Sequence, residues 1–365
     1  MTTLHQLSTE GGQSPWLDNC RRDWIQDGQL ADLVARGVRG VTSNPTIFAK
    51  AISGSDRYDD QFRACIATMT PAEAYWELVA SDIEAAMSTL APVYAASNGV
   101  DGYVSVEVAP SLARDAAGTV EAAHQLRSKI AGPNLMVKVP GTVEGLVALR
   151  RLVADGLSIN VTLLFSVARY DEVVEAYIAG LEDRLNAGVT DLSSIAGVAS
   201  FFISRVDSEI DKRLEAIGSS AALEYRGLAA VAQARVVYQH FLELFSGPRW
   251  ERLAAHGAQV QRPLWASTST KNPAYPDLLY VDSLIGPNTV NTLPDATLEA
   301  FDDHGTVAQT IDLDAPGALA TLEALEALGV NLGDVAEQLE TEGLASFAAS
   351  FDELIAELEQ KAAAL

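Results

Sequence analysis

Lys138 lies in Asn134-Leu135-Met136-Val137-Lys138-Val139-Pro140-Gly141-Thr142, flanked on both sides by residues that favour strands. Alternation along a strand puts Leu135, Val137 and Val139 on one face and Met136 and Lys138 on the other. An ammonium group buried there must lower its pKa or find a carboxylate partner. A desolvated lysine is also a nucleophile suited to forming a Schiff base with a carbonyl substrate. A structural ion pair at a strand end is the competing reading of this segment taken alone. The other lysines are less informative: Lys50, Lys129, Lys212 and Lys361 fall in polar or amphipathic helical stretches. Lys271 falls in the polar run Trp265-Ala266-Ser267-Thr268-Ser269-Thr270-Lys271-Asn272-Pro273.

Neighbouring segments shift the balance towards chemistry. Polar residues recur near the ends of apolar runs, on the face opposite the apolar side chains. They are Asp18 after Trp16-Leu17; Thr42, Ser43 and Asn44 after Val41; Ser105 and Glu107 among three valines; Ser158, Asn160 and Thr162; and Ser200 to Arg205. Explaining each buried polar group by an isolated hydrogen bond becomes harder with every strand added. Two carboxylates and one lysine among amides and hydroxyls, with no histidine, point to amine-mediated carbonyl chemistry with carboxylate acid–base help.

The elements that would position these groups alternate almost from end to end. Strands are predicted at Ser14–Asp18, Gly40–Asn44, Gly102–Val108, Leu135–Val139, Leu157–Leu163, Ala196–Phe202, Pro263–Ser267 and Val290–Leu293. Helical spacing is read between them, as over Thr142–Ala154 and Ser166–Asn186. Eight strands, each followed by helix, is the count that closes an α/β (β/α)₈ TIM barrel, with the active site at the C-terminal ends of the strands. The competing doubly wound open sheet usually carries a glycine-rich phosphate loop after its first strand, and none is present.

Additional helices are expected between strands and at the C-terminus: Ala72–Ala96, Ser219–Phe245 and Ala315–Leu365. Residues 1–365 are therefore read as one barrel domain with a C-terminal helical extension over about 315–365. The acidic face of that extension is read as ordinary solvated amphipathic helix, the alternative being the surface of a homodimer.

Composition narrows the function classes. At 48% hydrophobic and 20% charged, the chain of 365 residues has a globular composition. A formal net charge of −24 disfavours nucleic acid and anionic membrane surfaces as partners. Two cysteines, Cys20 and Cys65, exclude a disulfide framework, and five scattered histidines show no metal-ligand spacing. The opening Met1-Thr2-Thr3-Leu4-His5-Gln6 lacks a basic n-region and an apolar h-region, so no signal peptide is expected, nor a membrane span, and a cytoplasmic location is expected.

Four segments together resemble one family. Gly40-Val41-Thr42-Ser43-Asn44-Pro45-Thr46-Ile47-Phe48, Met136-Val137-Lys138-Val139-Pro140-Gly141-Thr142, Ser158-Ile159-Asn160-Val161-Thr162-Leu163-Leu164-Phe165-Ser166 and Ser200-x-Phe202-x-x-Arg205 are similar, in order, to diagnostic segments of transaldolases. The resemblance runs from about Leu17 to Pro294. It implies a class I aldolase-type barrel of the pentose phosphate pathway, using no metal or organic cofactor. Such enzymes move a dihydroxyacetone unit from sedoheptulose 7-phosphate to glyceraldehyde 3-phosphate, giving erythrose 4-phosphate and fructose 6-phosphate.

Residue by residue, the resemblance implies that Lys138 forms the Schiff base and Glu107 moves protons through a water that Thr162 helps to hold. Asp18 acts as base on the hydroxyl whose deprotonation drives carbon–carbon cleavage. Asn44 and Asn160 hydrogen-bond the dihydroxyacetone hydroxyls. Ser200 and Arg205 grip the phosphate, and Phe202 shapes the pocket.

Lys271 departs from the better-known branch, which carries an arginine there. As a point charge it can still serve a phosphate. Fructose 6-phosphate aldolases are shorter relatives resembling the pattern with glutamine at the Glu107 position and tyrosine at the Phe202 position. A catalytically silent barrel kept as a binding protein would show erosion among Asp18, Asn44, Glu107, Lys138, Asn160 and Thr162, and none is eroded. A fused sugar-phosphate isomerase of the kind some relatives carry is not expected within these 365 residues.

Overall fold

Eight parallel strands close into a barrel in chain order, β1 to β8, with β8 paired back onto β1, in a computed structural model describing residues 2–364. They are β1 Gln13–Leu17, β2 Val41–Thr42, β3 Val104–Glu107, β4 Leu135–Pro140, β5 Ile159–Leu164, β6 Gly197–Phe202, β7 Gln261–Ala266 and β8 Thr289–Leu293. All eight coincide with the predicted segments to within a few residues. The predicted alternation also holds: Val104, Val106, Leu135, Val137, Val139, Ile159 and Val161 are buried in the apolar shell.

Register places the reactive residues side by side. Glu107 on β3 is level with Lys138 on β4, and Lys138 is level with Asn160 on β5. One turn of the barrel wall therefore carries an acid, an amine and an amide in a row. Beyond that row the β5–β6 register shifts between Val161 and Leu164, with Leu163 at φ +62. Such a bulge bends the strand and re-aims the side chains beyond it.

Local sequence explains the strand ends. β2 is shorter than predicted because Asn44 leaves the sheet to cap the helix Pro45–Ser53, accepting the Ile47 N–H at 2.9 Å, with Pro45 in the first turn. Asp18 lies one residue past β1, where its backbone N–H donates to the Leu293 carbonyl of β8. The opposite end of the barrel is sealed: Arg262 pairs with Asp101 at 3.0 Å and lies over the Trp16 ring. A Cβ at Gly40 would come within 2.4 Å of that indole, so only glycine fits beside it.

Two helical expectations need correction. Ser219–Phe245 is not continuous: helices Ser220–Leu223 and Ala229–Leu244 are separated by Gly227 at φ +73. Likewise Ala315–Leu365 divides into Ala315–Ala327 and Leu332–Ala363, with Gly329 at φ +94 between them. The long final helix is also more than a solvated amphipathic surface. It crosses the barrel mouth, packing Gly343 so closely on Leu163 that a Cβ would sit 2.9 Å away. Its Thr46–Ser350 contact then ties it to the Pro45–Ser53 helix.

Candidate active site

A cavity of about 140 Å³ opens at the C-terminal ends of the strands. Its walls include Asp18, Asn44, Lys138, Thr162, Ser200, Phe202, Arg205 and Lys271, eight of the ten residues singled out from sequence. Past Asp18 and Pro294 it adjoins a wider cleft of about 560 Å³, which gives a larger sugar room to extend.

The other two, Glu107 and Asn160, stand just behind this wall. Glu107 Oε2 is 3.2 Å from Lys138 Nζ, and both side chains are buried. Asn160 accepts the Ser200 hydroxyl at 2.7 Å and donates to Ser105 Oγ at 3.1 Å.

Lys138 has two anchors, which fix its amine in direction. Nζ donates to the Ser43 carbonyl at 2.9 Å and faces Glu107 on its other side. Burial pushes the Glu107 carboxyl up from its ordinary value, an effect the Lys138 charge opposes. A carboxyl raised in this way is suited to taking up and returning protons beside the amine that a Schiff base needs. Beside Glu107 lies a void of about 10 Å³, also lined by Ser43, Asn44 and Tyr75. That is room for a single water. Thr162 Oγ1 is fully buried without a hydrogen-bond partner among the described residues, as expected of a hydroxyl kept for a water or substrate atom.

Asp18 occupies the opposite wall. Thr42 Oγ1 donates to its Oδ1 at 2.8 Å, and Thr42 in turn meets Thr292 Oγ1 at 2.6 Å. Burial raises the Asp18 carboxyl, while Lys138 and the Thr42 hydrogen bond pull it down. With Asp18 and Glu107 both held above their ordinary values, the acid limb of kcat/KM should lie at higher pH than free carboxylates would give. The sign follows from protonation: a raised pKa means the working carboxylate is lost sooner as pH falls. A kcat/KM profile that stays flat down to the ordinary carboxylate range would contradict these environments.

Two cations stand at the mouth. Arg205 begins the helix Ser204–Ile217 directly after β6, and its guanidinium lies 5.1 Å from the Phe202 ring centre. Burial lowers its pKa, yet an arginine remains charged. Lys271 is exposed, its pKa lowered by partial desolvation and then by the Arg205 charge. Among the described residues neither forms an ion pair with a carboxylate, so both are free to meet an anion.

Several contributors had no role assigned from sequence. Thr42 and Thr292 hold Asp18, the Ser43 carbonyl holds Lys138, and Ser269 Oγ accepts from Lys271 Nζ at 2.6 Å. Ser269 sits two residues before Lys271, a spacing that could have flagged it. Ser267 lines the cavity from a left-handed conformation, φ +56. Phe347, from the final helix, closes one side. Among the described residues no cluster of three or more His, Cys, Asp or Glu is arranged to hold a metal, and no helix is long and apolar enough to cross a membrane.

Comparison with known proteins shows the family. The family model for Transaldolase/Fructose-6-phosphate aldolase matches residues 15–358. A transaldolase of Thermobifida fusca is 50% identical over 364 residues, covering 99% of this chain and 98% of the relative. One of Acidothermus cellulolyticus is 51% identical, covering 97% and 95%, and one of Mycolicibacterium smegmatis 48% identical, covering 94% and 93%.

Proposed function

The chain belongs to the transaldolase/fructose-6-phosphate aldolase family, and on that premise we propose the transaldolase reaction as its function, with Lys138 as nucleophile. The observation that carries the assignment of roles is the row Glu107–Lys138–Asn160 on adjacent strands, with Lys138 facing Asp18 across one cavity.

The sequence of steps uses these groups and no organic cofactor. Lys138 Nζ adds to the ketose C2 carbonyl. Glu107, through a water held with Thr162, returns a proton to the resulting hydroxyl, which leaves as water and creates an iminium. Asp18 then takes the proton of the C4 hydroxyl. The C3–C4 bond breaks, its electrons enter the iminium, and the aldose departs as an aldehyde. The remaining three-carbon unit stays on Lys138 as an enamine. It adds to the acceptor aldehyde while Asp18 returns the proton, and hydrolysis frees the new ketose. Asn44 and Asn160 orient the dihydroxyacetone hydroxyls. Ser200, whose proton is engaged by Asn160, acts first through that amide and offers its lone pairs to the substrate.

Phosphorylated sugars are the substrates: sedoheptulose 7-phosphate as donor and glyceraldehyde 3-phosphate as acceptor. The net charge of −24 opposes them at long range. Arg205 and Lys271 supply the local field at the mouth, where separation from the phosphate is short and screening weak. Phe202 and Phe347 line the cavity and limit water at the enamine.

The deciding assay is donor cleavage with and without acceptor. With fructose 6-phosphate and erythrose 4-phosphate, sedoheptulose 7-phosphate should accumulate. Without an acceptor, free dihydroxyacetone should appear at most slowly. Rapid release of free dihydroxyacetone would instead assign the chain to the aldolase branch.

A further inference from the structure

The segment that bears Lys271 is fastened at both ends to the helix that bears Arg205. At its start, Ser204 Oγ donates to the Ser267 carbonyl at 2.6 Å. At its far side, the Tyr275 hydroxyl donates to Asp211 Oδ2 at 2.6 Å. The other oxygen of that carboxylate accepts the Gly227 N–H at 2.9 Å. One turn earlier on the same helix, Asp207 accepts from the Tyr280 hydroxyl at 2.8 Å and from the Ala230 N–H at 2.7 Å. Both aspartates are buried, and neither belongs to the cavity where the reaction is placed.

Just after its first fastening, Thr268 Oγ1 also donates to Asn291 Oδ1 of β8 at 2.9 Å, and from there to Tyr275 the segment is held only by short-range bonds. Thr270 Oγ1 donates to the Pro276 and Asp277 carbonyls, and the Tyr275 N–H to the Asn272 carbonyl. These bonds make the Lys271 turn compact but do not place it against the rest of the protein. Beyond Thr268, on the far side of Lys271, that placement falls to Tyr275. Its ring packs against Gly227, where φ is +73 and a Cβ would come 2.8 Å from Tyr275 Cζ. The break between the two helices after β6 thus makes the space that the tyrosine fills.

We infer that Tyr275 and Asp211 are positioning residues for phosphate recognition, holding Lys271 at a set distance from Arg205. A lysine offers a point charge on a flexible stem and lacks the planar fork of arginine. Its contribution to binding therefore depends on how well its backbone is ordered before the ligand arrives. The clamp supplies that order by anchoring both cations to one helix. The inference rests on the reading of Arg205 and Lys271 as phosphate ligands.

Tyr275→Phe removes one hydroxyl and keeps the ring. Donor kinetics are measured with fructose 6-phosphate and with unphosphorylated fructose, at a constant concentration of D-glyceraldehyde as acceptor, together with competitive inhibition by inorganic phosphate. The KM for fructose 6-phosphate and the Ki for phosphate should rise by about tenfold, with kcat changed by less than about twofold. Values for fructose should not move. Combined with Lys271→Ala, Tyr275→Phe should add no further loss, because the two act through one contact.

The inference is overturned if phosphorylated and unphosphorylated donors suffer equally, if the two substitutions are additive, or if only the melting temperature falls. Should Tyr275→Phe not accumulate as folded protein, Asp211→Ala carries the same test, since it removes the carboxylate oxygen that accepts from the Tyr275 hydroxyl. A wild-type enzyme indifferent to the donor phosphate would overturn the phosphate reading itself. That result is distinct from wild-type discrimination that survives Tyr275→Phe.

Discussion

Lys138→Met is expected to leave a folded barrel whose turnover has fallen by about four orders of magnitude or more, because no other group can hold the three-carbon unit covalently. Methionine matches the lysine stem in length and tolerates irregular space, so packing around Met136 and Val139 is largely kept. The substitution also leaves Glu107 buried without its cationic partner. Its carboxyl, already raised by burial, then rises further and takes up a proton rather than remain charged. Near-normal folding by circular dichroism with activity below about one part in ten thousand is the expected pair of results. Residual turnover of more than about one per cent would move the nucleophile elsewhere.

Asp18→Asn should separate the half-reactions. The amide oxygen can still accept from Thr42, so the side chain stays in place while its capacity as a base is lost. Turnover should drop by about a thousandfold, in the range for removal of a general base. Addition of the ketose to Lys138 does not need Asp18, so covalent adduct should still build up when the intact six-carbon donor is supplied. The expected reading by intact mass after reduction is therefore the full ketose on the variant, where the wild type also shows the three-carbon unit. If the variant accumulates the three-carbon adduct as fast as wild type, Asp18 does not drive the cleavage.

Much of this arrangement was legible in the sequence, and the reasons are specific. Parallel strands buried on both faces leave short apolar runs between amphipathic helices, so all eight strands could be placed. Lys138 stood out because an ammonium in such a run demands an explanation, Glu107 because it falls among three valines, and Asp18 because it follows a run of its own. The register that makes Glu107, Lys138 and Asn160 neighbours depends on strand stagger, which residue types do not encode. Nor did anything in Asn160-Val161-Thr162-Leu163-Leu164 announce the bulge at Leu163.

The misses share one cause, tertiary contact overriding local pattern. Gly227 interrupts an otherwise helical stretch because Tyr275 packs against it from about fifty positions further along the chain. The final helix has the alternating apolar and acidic residues of a solvated helix, and the same pattern serves equally well for one docked across the barrel mouth. Only the fold reveals that Phe347 reaches the cavity and that Gly343 must be small to pass Leu163. The net charge, prominent in the composition, says little about the ligand: a few placed cations decide the local field.

The central claim is a covalent bond between one lysine and a ketose, and chemical trapping tests it most directly. Protein incubated with fructose 6-phosphate is treated with borohydride, which reduces an imine to a stable amine, then digested and mapped by mass spectrometry. The account predicts a single adduct, on the peptide containing Lys138. The absence of any adduct, or its location on Lys271 or another lysine, would contradict it.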